Sequence, residues 1–201
     1  METAGTSLAV TSARIDIGFA LKHGWRLFLK DIVPLLLGTL IATALSIVTL
    51  GILAGPLYAG LYGMMVTRIR DGREPAVGDV FSCMDRFWSF FGGSIVLALA
   101  IGFAWITVIG GVLLMTIWLY VFPLMVDRRM GFWDALGVSY HTVKDGGFWE
   151  HLVLVVVFIL IGSIGGAAAG VAFLLTTPFT VATLGAAYYT VQGRGAEVER
   201  A

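Results

Sequence analysis

The chain has 201 residues, 58% of them hydrophobic and 13% charged, with 13 lysines and arginines against 13 aspartates and glutamates. A soluble domain is about one-quarter charged, so a chain with mean hydropathy +0.91 cannot hide its apolar surface from water. The zero net charge argues against the polybasic surface of a nucleic-acid binder, and the single cysteine excludes an intramolecular disulfide.

In chain order, residues 1–13 lack a basic start followed by an apolar core, so no removable signal peptide is expected and the segment is read as a flexible N-terminus. Residues 15–30 predict an amphipathic helix, with Ile17, Leu21, Trp25 and Phe28 on one face and Lys22, His23, Arg26 and Lys30 on the other. Three blocks then carry no Asp, Glu, Lys or Arg: 32–67, 87–126 and 151–193. A helix needs roughly 20 apolar residues to cross a bilayer, so each block holds two spans. A glycine cluster near the middle of each marks the turn: Gly51, Gly55 and Pro56, then Gly110 and Gly111, then Gly162, Gly165 and Gly166. The expectation is an all-α, polytopic membrane bundle of six transmembrane helices in three hairpins. Residues 56–67 are short enough that a re-entrant half-span is the alternative there.

The blocks are separated by segments of one design. In "DVFSCMDRFWSFF", residues 79–91, Val80, Met84, Phe87, Trp88 and Phe91 share a face, with Asp79 as the expected N-cap. In residues 132–145, Phe132, Ala135, Leu136, Ser139 and Val143 line up against Asp134, His141 and Asp145. These segments, with 15–30, are read as helices lying in the membrane interface, each introducing a hairpin. Units of about 14–70, 79–126 and 132–193 form a single membrane domain, and 194–201 is read as a flexible C-terminus. A shift of 55 residues carries Asp79 to Asp134, Gly110 and Gly111 to Gly165 and Gly166, and Pro123 to Pro178, which suggests an internal repeat.

All 13 Lys and Arg residues fall in 14–30, 68–86, 127–144 and 194–200. With six spans these segments share one side, which the positive-inside rule assigns to the cytoplasm together with both termini. The localisation expected is the plasma (inner) membrane of a prokaryote.

Small residues recur every fourth position at Gly51, Gly55, Ala59, Gly63 and Thr67, and again at Gly162, Gly166 and Gly170, giving surfaces for close helix contact within one bundle or between subunits. Thr39, Thr43 and Ser46 share a face of the first span. They are candidate pore-lining residues, although such hydroxyls commonly bond to their own backbone. No ionisable residue is expected inside the membrane, which argues against proton-coupled transport. His23, His141 and His151 have no companion ligands at metal-site spacing, and Cys83 reads as a small apolar side chain. No catalytic, cofactor-binding or metal residue is assigned, and no cofactor is expected. At the end of the fourth span Asp127, Arg128 and Arg129 mark the exit from the membrane, with Asp127 expected to cap or pair with arginines and to be a candidate gate or interface residue.

Pro123, Leu124, Val126, Asp127, Gly131, Ala135, Leu136, Ser139, Val143 and Lys144 follow a pattern, "PL.VD...G...AL..S...VK", that resembles a broad group of prokaryotic membrane proteins. The group includes YciC-like proteins and the membrane domain of some glycerophosphoryl diester phosphodiesterases. "GPLYAGLYGMMVTRIRDGREPAVGDVF" is similar to another segment of that group, and the resemblance covers about residues 14–193. It implies the architecture and no active site, because the soluble phosphodiesterase domain has no counterpart in this sequence. Two functions follow as expectations: a non-enzymatic module organising membrane lipids, the envelope or a membrane-protein partner, or an oligomeric channel or facilitator for a small solute or ion.

Overall fold

The computed structural model describes residues 14–167 and 171–201, and side chains outside 164–171. Every regular element among the described residues is helical. In order they are α1 (Ile17–Lys30), α2 (Ile32–Val48), α3 (Ala54–Asp71), two 3-10 turns (Val77–Phe81 and Met84–Arg86), α4 (Phe87–Ala104), α5 (Val108–Ile117), α6 (Val121–Asp127), α7 (Phe132–Asp145), α8 (Phe148–Ala167), α9 (Val171–Val191) and α10 (Gly195–Arg200).

The segments Val77–Ala104 and Val108–Asp127 are each long and apolar enough to cross a membrane, with mean hydropathies of 1.9 and 2.1. Two more candidates arise if bent pairs are counted as single spans: α1 with α2, bent by 88°, and α7 with the part of α8 up to Ser163, bent by 110°. The chain thus holds two to four candidate membrane-spanning helices. Large apolar side chains on α2, α4, α5 and α8, among them Leu37, Ile47, Leu99, Phe103, Ile109 and Leu160, face outward. An outward apolar surface on this scale belongs in hydrocarbon rather than water.

α3 is the centre of the bundle, packing on α2, α4, α6, α9 and the first 3-10 turn. Its small residues permit this. A methyl added at Gly55 would lie 2.5 Å from the Phe90 carbonyl oxygen of α4, and one at Gly60 would lie 1.9 Å from that of Val80. Gly63 faces Ser82, and Ala59 is fully buried. Of these, Gly55, Ala59 and Gly63 are on the expected stripe and pack within the chain, whereas Gly60 lies off it. Gly51 instead sits in the α2–α3 turn at φ +86°, next to Leu50 at φ 51°. Gly162 has open space around its Cα, Gly166 lies within α8, and Gly170 lies outside the described residues.

The prolines set the bends. Pro34 and Pro56 lie in the first turns of α2 and α3, where a missing N–H costs nothing. Pro34 cannot donate to Lys30 four residues back, and α1 ends there in the right-angle bend at Asp31. Pro123 likewise leaves the Leu119 carbonyl without its helical donor, and the helix breaks between Ile117 and Val121. Ser139 of α7 repairs the break: its hydroxyl donates to the Ile117 carbonyl at 2.9 Å and accepts from the Tyr120 amide at 3.2 Å. Pro178, by contrast, is carried inside α9.

Several expectations are corrected. Residues 79–91 do not form one interfacial α-helix: they begin in 3-10 turns, and Phe87, Trp88 and Phe91 open α4. Asp79 is no α-helical N-cap; its carboxylate accepts from the Ala76 amide and from Arg73, both at 2.9 Å. The turn between α4 and α5 falls at 105–107, not at Gly110 and Gly111, because Trp105 folds back onto α5 and a methyl at Gly111 would come within 2.8 Å of its indole. Gly162, Gly165 and Gly166 are helical, with α8 running to Ala167. On α1 the protein-facing side is Ala20, Gly24, Leu27 and Phe28, set against α9, so Phe28 of the expected face is buried while Trp25 points outward. The C-terminal segment forms α10, with Val198 buried and Arg26 and Lys30 donating to the carbonyls of Glu199 and Ala201. The expected flexible segment 1–13 lies outside the described residues. Of the residues matched by the 55-residue shift, Asp79 is in a 3-10 turn and Asp134 in an α-helix, so local structure differs between those two units.

Candidate functional site

Charged and phenolic side chains gather at the end of α6. Asp127 is its last residue, and its carboxylate is nearly buried. Oδ2 accepts from the Tyr188 hydroxyl at 2.9 Å and Oδ1 from the Tyr189 hydroxyl at 3.1 Å. Arg70 from the end of α3 stands 3.4 Å from Oδ1, and Arg194, just past α9, stands 3.8 Å from Oδ2. One carboxylate therefore ties three helix ends together, in charge-assisted contacts stronger than neutral ones. Arg70 also grips Asp71 through two hydrogen bonds of 2.9 and 3.0 Å, which hold the Asp71 carboxyl below its usual range. Arg194 grips Glu197 in the same two-pronged way at 2.8 Å and lies over the Tyr189 ring.

Arg86 staples the α6–α7 turn, donating to the Met125 carbonyl at 2.9 Å and the Met130 carbonyl at 2.7 Å. Those carbonyls lack helical partners at the end of α6, so a guanidinium is well suited to them. Between them Arg129 adopts φ 50°, and Arg128 turns away to donate to Gln192 at 2.6 Å. Arg70, Arg73, Arg86 and Arg129, with Asp79, Asp85 and Asp127, line a cleft of about 230 Å³ beside α3 and α6.

Cys83 borders the same cleft but is 6% exposed. A thiol so shielded reacts slowly. Labelling with N-ethylmaleimide at neutral pH is expected to run at least ~10-fold slower than for an exposed thiol, rising to the exposed rate in denaturant. Stopped-reaction mass spectrometry reads both rates.

Deeper along α3 and α6 lies a larger cavity of about 480 Å³. Tyr58, Tyr62, Trp118, Phe122, Phe158 and Phe173 contribute aromatic walls, and Thr176, Thr177 and Thr180 of α9 add hydroxyls. Two of these hydroxyls are spent on their own helix, Thr180 donating to the Thr176 carbonyl at 2.9 Å and Thr176 to that of Phe173 at 3.4 Å.

The structure places the expected residues as follows. Asp127 is the hub, with Arg128 and Arg129 on either side of the turn. Thr39, Thr43 and Ser46 do not border the aromatic cavity: Thr39 is fully buried, Thr43 stands 3.4 Å from the Tyr58 hydroxyl, and Ser46 donates to the Ala42 carbonyl at 2.6 Å. Ionisable residues are buried in the protein at the edges of the charge-free blocks. Asp31 and Arg68 are buried against each other at 3.0 Å, and His151 is fully buried with Nδ1 2.6 Å from the Gly147 carbonyl. Asp31 and Arg68 flank the first charge-free block, so sequence reading put them at its edge in water. Arg70, Tyr188, Tyr189 and Arg194 were missed as partners of Asp127. The paired tyrosines among small residues in "LGAAYYTV" were the available signal. Among the described residues no cluster of three or more His, Cys, Asp or Glu could hold a metal ion.

Comparison with protein-family models, with curated proteins and with solved structures gave no match.

Proposed function

We propose that this is a six-span integral membrane protein, built as three hairpins with both termini on the cytoplasmic side of a prokaryotic plasma membrane, that organises lipids or a membrane-protein partner without catalysing a reaction. The observation that carries this reading is that the two ends of each charge-free block meet. Asp31 and Arg68 pair across the first, Arg86 holds Met125 across the second, and Gly146 packs against both His151 and Val191 at the ends of the third. Two helices per block, out and back, account for such closure. Trp25, Trp88, Trp133 and Trp149, each more than half exposed, stand close to the charged segments, as interfacial aromatics do. The bends of 88° and 110° suit α1 and α7 lying along the interface while α2 and α8 enter the bilayer. The resemblance to the YciC-like group and the phosphodiesterase membrane domain accords with this architecture.

Arg70, Arg73, Arg86, Asp79 and Asp127 of the cleft are committed to neighbouring side chains and backbone groups, which favours a fixed scaffold over a moving transport pathway. Reporter fusions after residues 72, 130 and 193 are expected to report the cytoplasm, and insertions near 51 and 106 the opposite side. One outward signal from 127–147 would overturn the hairpin arrangement. For activity, reconstituted vesicles are expected to stay tight to small ions and solutes. Flux that disappears when Thr39, Thr43 and Ser46 become leucine would establish the channel instead.

A further inference from the structure

The arginine-lined cleft and the aromatic cavity are stacked along the same two helices. On α3, Gly63, Val66 and Arg70 line the cleft, while Tyr58 and Tyr62 line the cavity. On α6, Val126 and Asp127 line the cleft, while Phe122 lines the cavity. One aromatic layer separates them. Tyr62 lies parallel to Phe122 at 6.2 Å and Phe122 to Phe90 at 6.3 Å, with Phe90 facing the cleft. A polar compartment at the charged end and an open apolar one farther along the bundle thus meet at the Phe122 ring.

We propose that the two compartments are one binding site for an anionic lipid, with a phosphate or carboxylate headgroup in the cleft and one acyl chain in the cavity. The proposal rests on the membrane reading above and adds the ligand class to it. Charge favours an anion: four arginines face three aspartates in the cleft. Arg73 is matched by Asp79 and Arg70 by Asp127, which leaves Arg86 and Arg129 facing the exposed Asp85, an excess of one positive charge among the lining residues. Arg86 spends its hydrogen bonds on neutral carbonyls, which leave its charge in place. Arg129 has no hydrogen-bond or ion-pair partner among the described residues and is exposed at the rim. The apolar compartment, about 480 Å³, is within the range of small-molecule sites, and the Thr176 and Thr180 hydroxyls are turned to their own backbone. Such a lining has little to offer a polar solute and suits a hydrocarbon chain, whose transfer from the bilayer leaves no polar group unpaired. A chain whose headgroup is held by Arg129 and Arg86 enters the cavity by displacing the Phe122 ring from its stack.

Trp118 lines the cavity and supplies the probe. The protein is reconstituted in phosphatidylcholine vesicles containing either phosphatidic acid or phosphatidylcholine with brominated acyl chains, at equal mole fraction. The Trp118 contribution to fluorescence is taken as the difference between the native chain and Trp118→Phe. Brominated phosphatidic acid is expected to quench that contribution at least threefold more than brominated phosphatidylcholine. Arg129→Gln, a change at an exposed position, is expected to remove the preference, and Phe122→Ala to strengthen quenching by opening the partition. Equal quenching by the two lipids, or none by either, overturns the anionic-lipid site while leaving the membrane reading intact. Protein that is stripped from the vesicles at alkaline pH overturns the membrane reading itself.

Discussion

Arg68→Met is expected to destabilise the protein by about 3 kcal/mol, because it leaves the nearly buried Asp31 carboxylate without its ion partner. The pair joins the bend before α2 to the last turns of α3, with side chains 6% and 4% exposed and Nε 3.0 Å from Oδ2. Bringing two ions out of water is costly, and their mutual attraction offsets that cost only while both are present. The double variant Asp31→Leu with Arg68→Met should therefore recover most of the loss, since two apolar side chains need no partner there. Denaturation midpoints of the native chain, the two single variants and the double variant in detergent complete the cycle. A single-variant loss below ~1 kcal/mol would place the pair among ordinary surface ion pairs.

Gly60→Ala should be at least as damaging, by a steric route. Its methyl would lie 1.9 Å from the Val80 carbonyl oxygen, 2.6 Å from the carbonyl carbon and 2.9 Å from Cα. All three are backbone atoms, so no rotamer change relieves the clash, and α3 must separate from the 3-10 turn that carries Asp79 and Val80. Overpacking costs about 1–3 kcal/mol where side chains can give way, and more is expected where the obstacle is backbone. Gly137 on α7 is the control, because a methyl there meets nothing within 4 Å and alanine favours the helix by about 0.5–1 kcal/mol. Monodisperse yield by size exclusion and the melting midpoint should fall sharply for Gly60→Ala and hold or rise for Gly137→Ala. Equal behaviour of the two would mean that α3 does not approach the turn so closely.

The glycines show why contact surfaces were only partly legible. The every-fourth-residue stripe through Gly55, Ala59 and Gly63 is a one-dimensional pattern, and it picked out a face of α3 that is packed. The tightest approach is at Gly60, off that stripe, because the partner there is a 3-10 turn with its carbonyl pointing inward rather than a straight helix. The turns shifted for a related reason. Glycine permits a reversal but is equally useful where a bulky neighbour must come close, and Gly111 beneath the Trp105 indole is used in the second way.

By itself the sequence determined the helical class, the apolar segments able to enter a membrane, the helices at 17–30 and 132–145, and the place of Asp127 at the end of an apolar run. These follow from local properties: hydropathy, the 3.6-residue period and the spacing of charges along the chain. Only the tertiary structure decided which groups meet. Tyr188, Tyr189, Arg70 and Arg194 reach Asp127 from about 60 residues away in either direction along the chain, Ser139 repairs a break 19 to 22 residues behind it, and Asp31 finds Arg68 across a whole charge-free block. Periodicity sorts residues onto faces of one helix. Which face meets which neighbour is settled by close packing of all the helices at once, and that information is not local to any stretch of sequence.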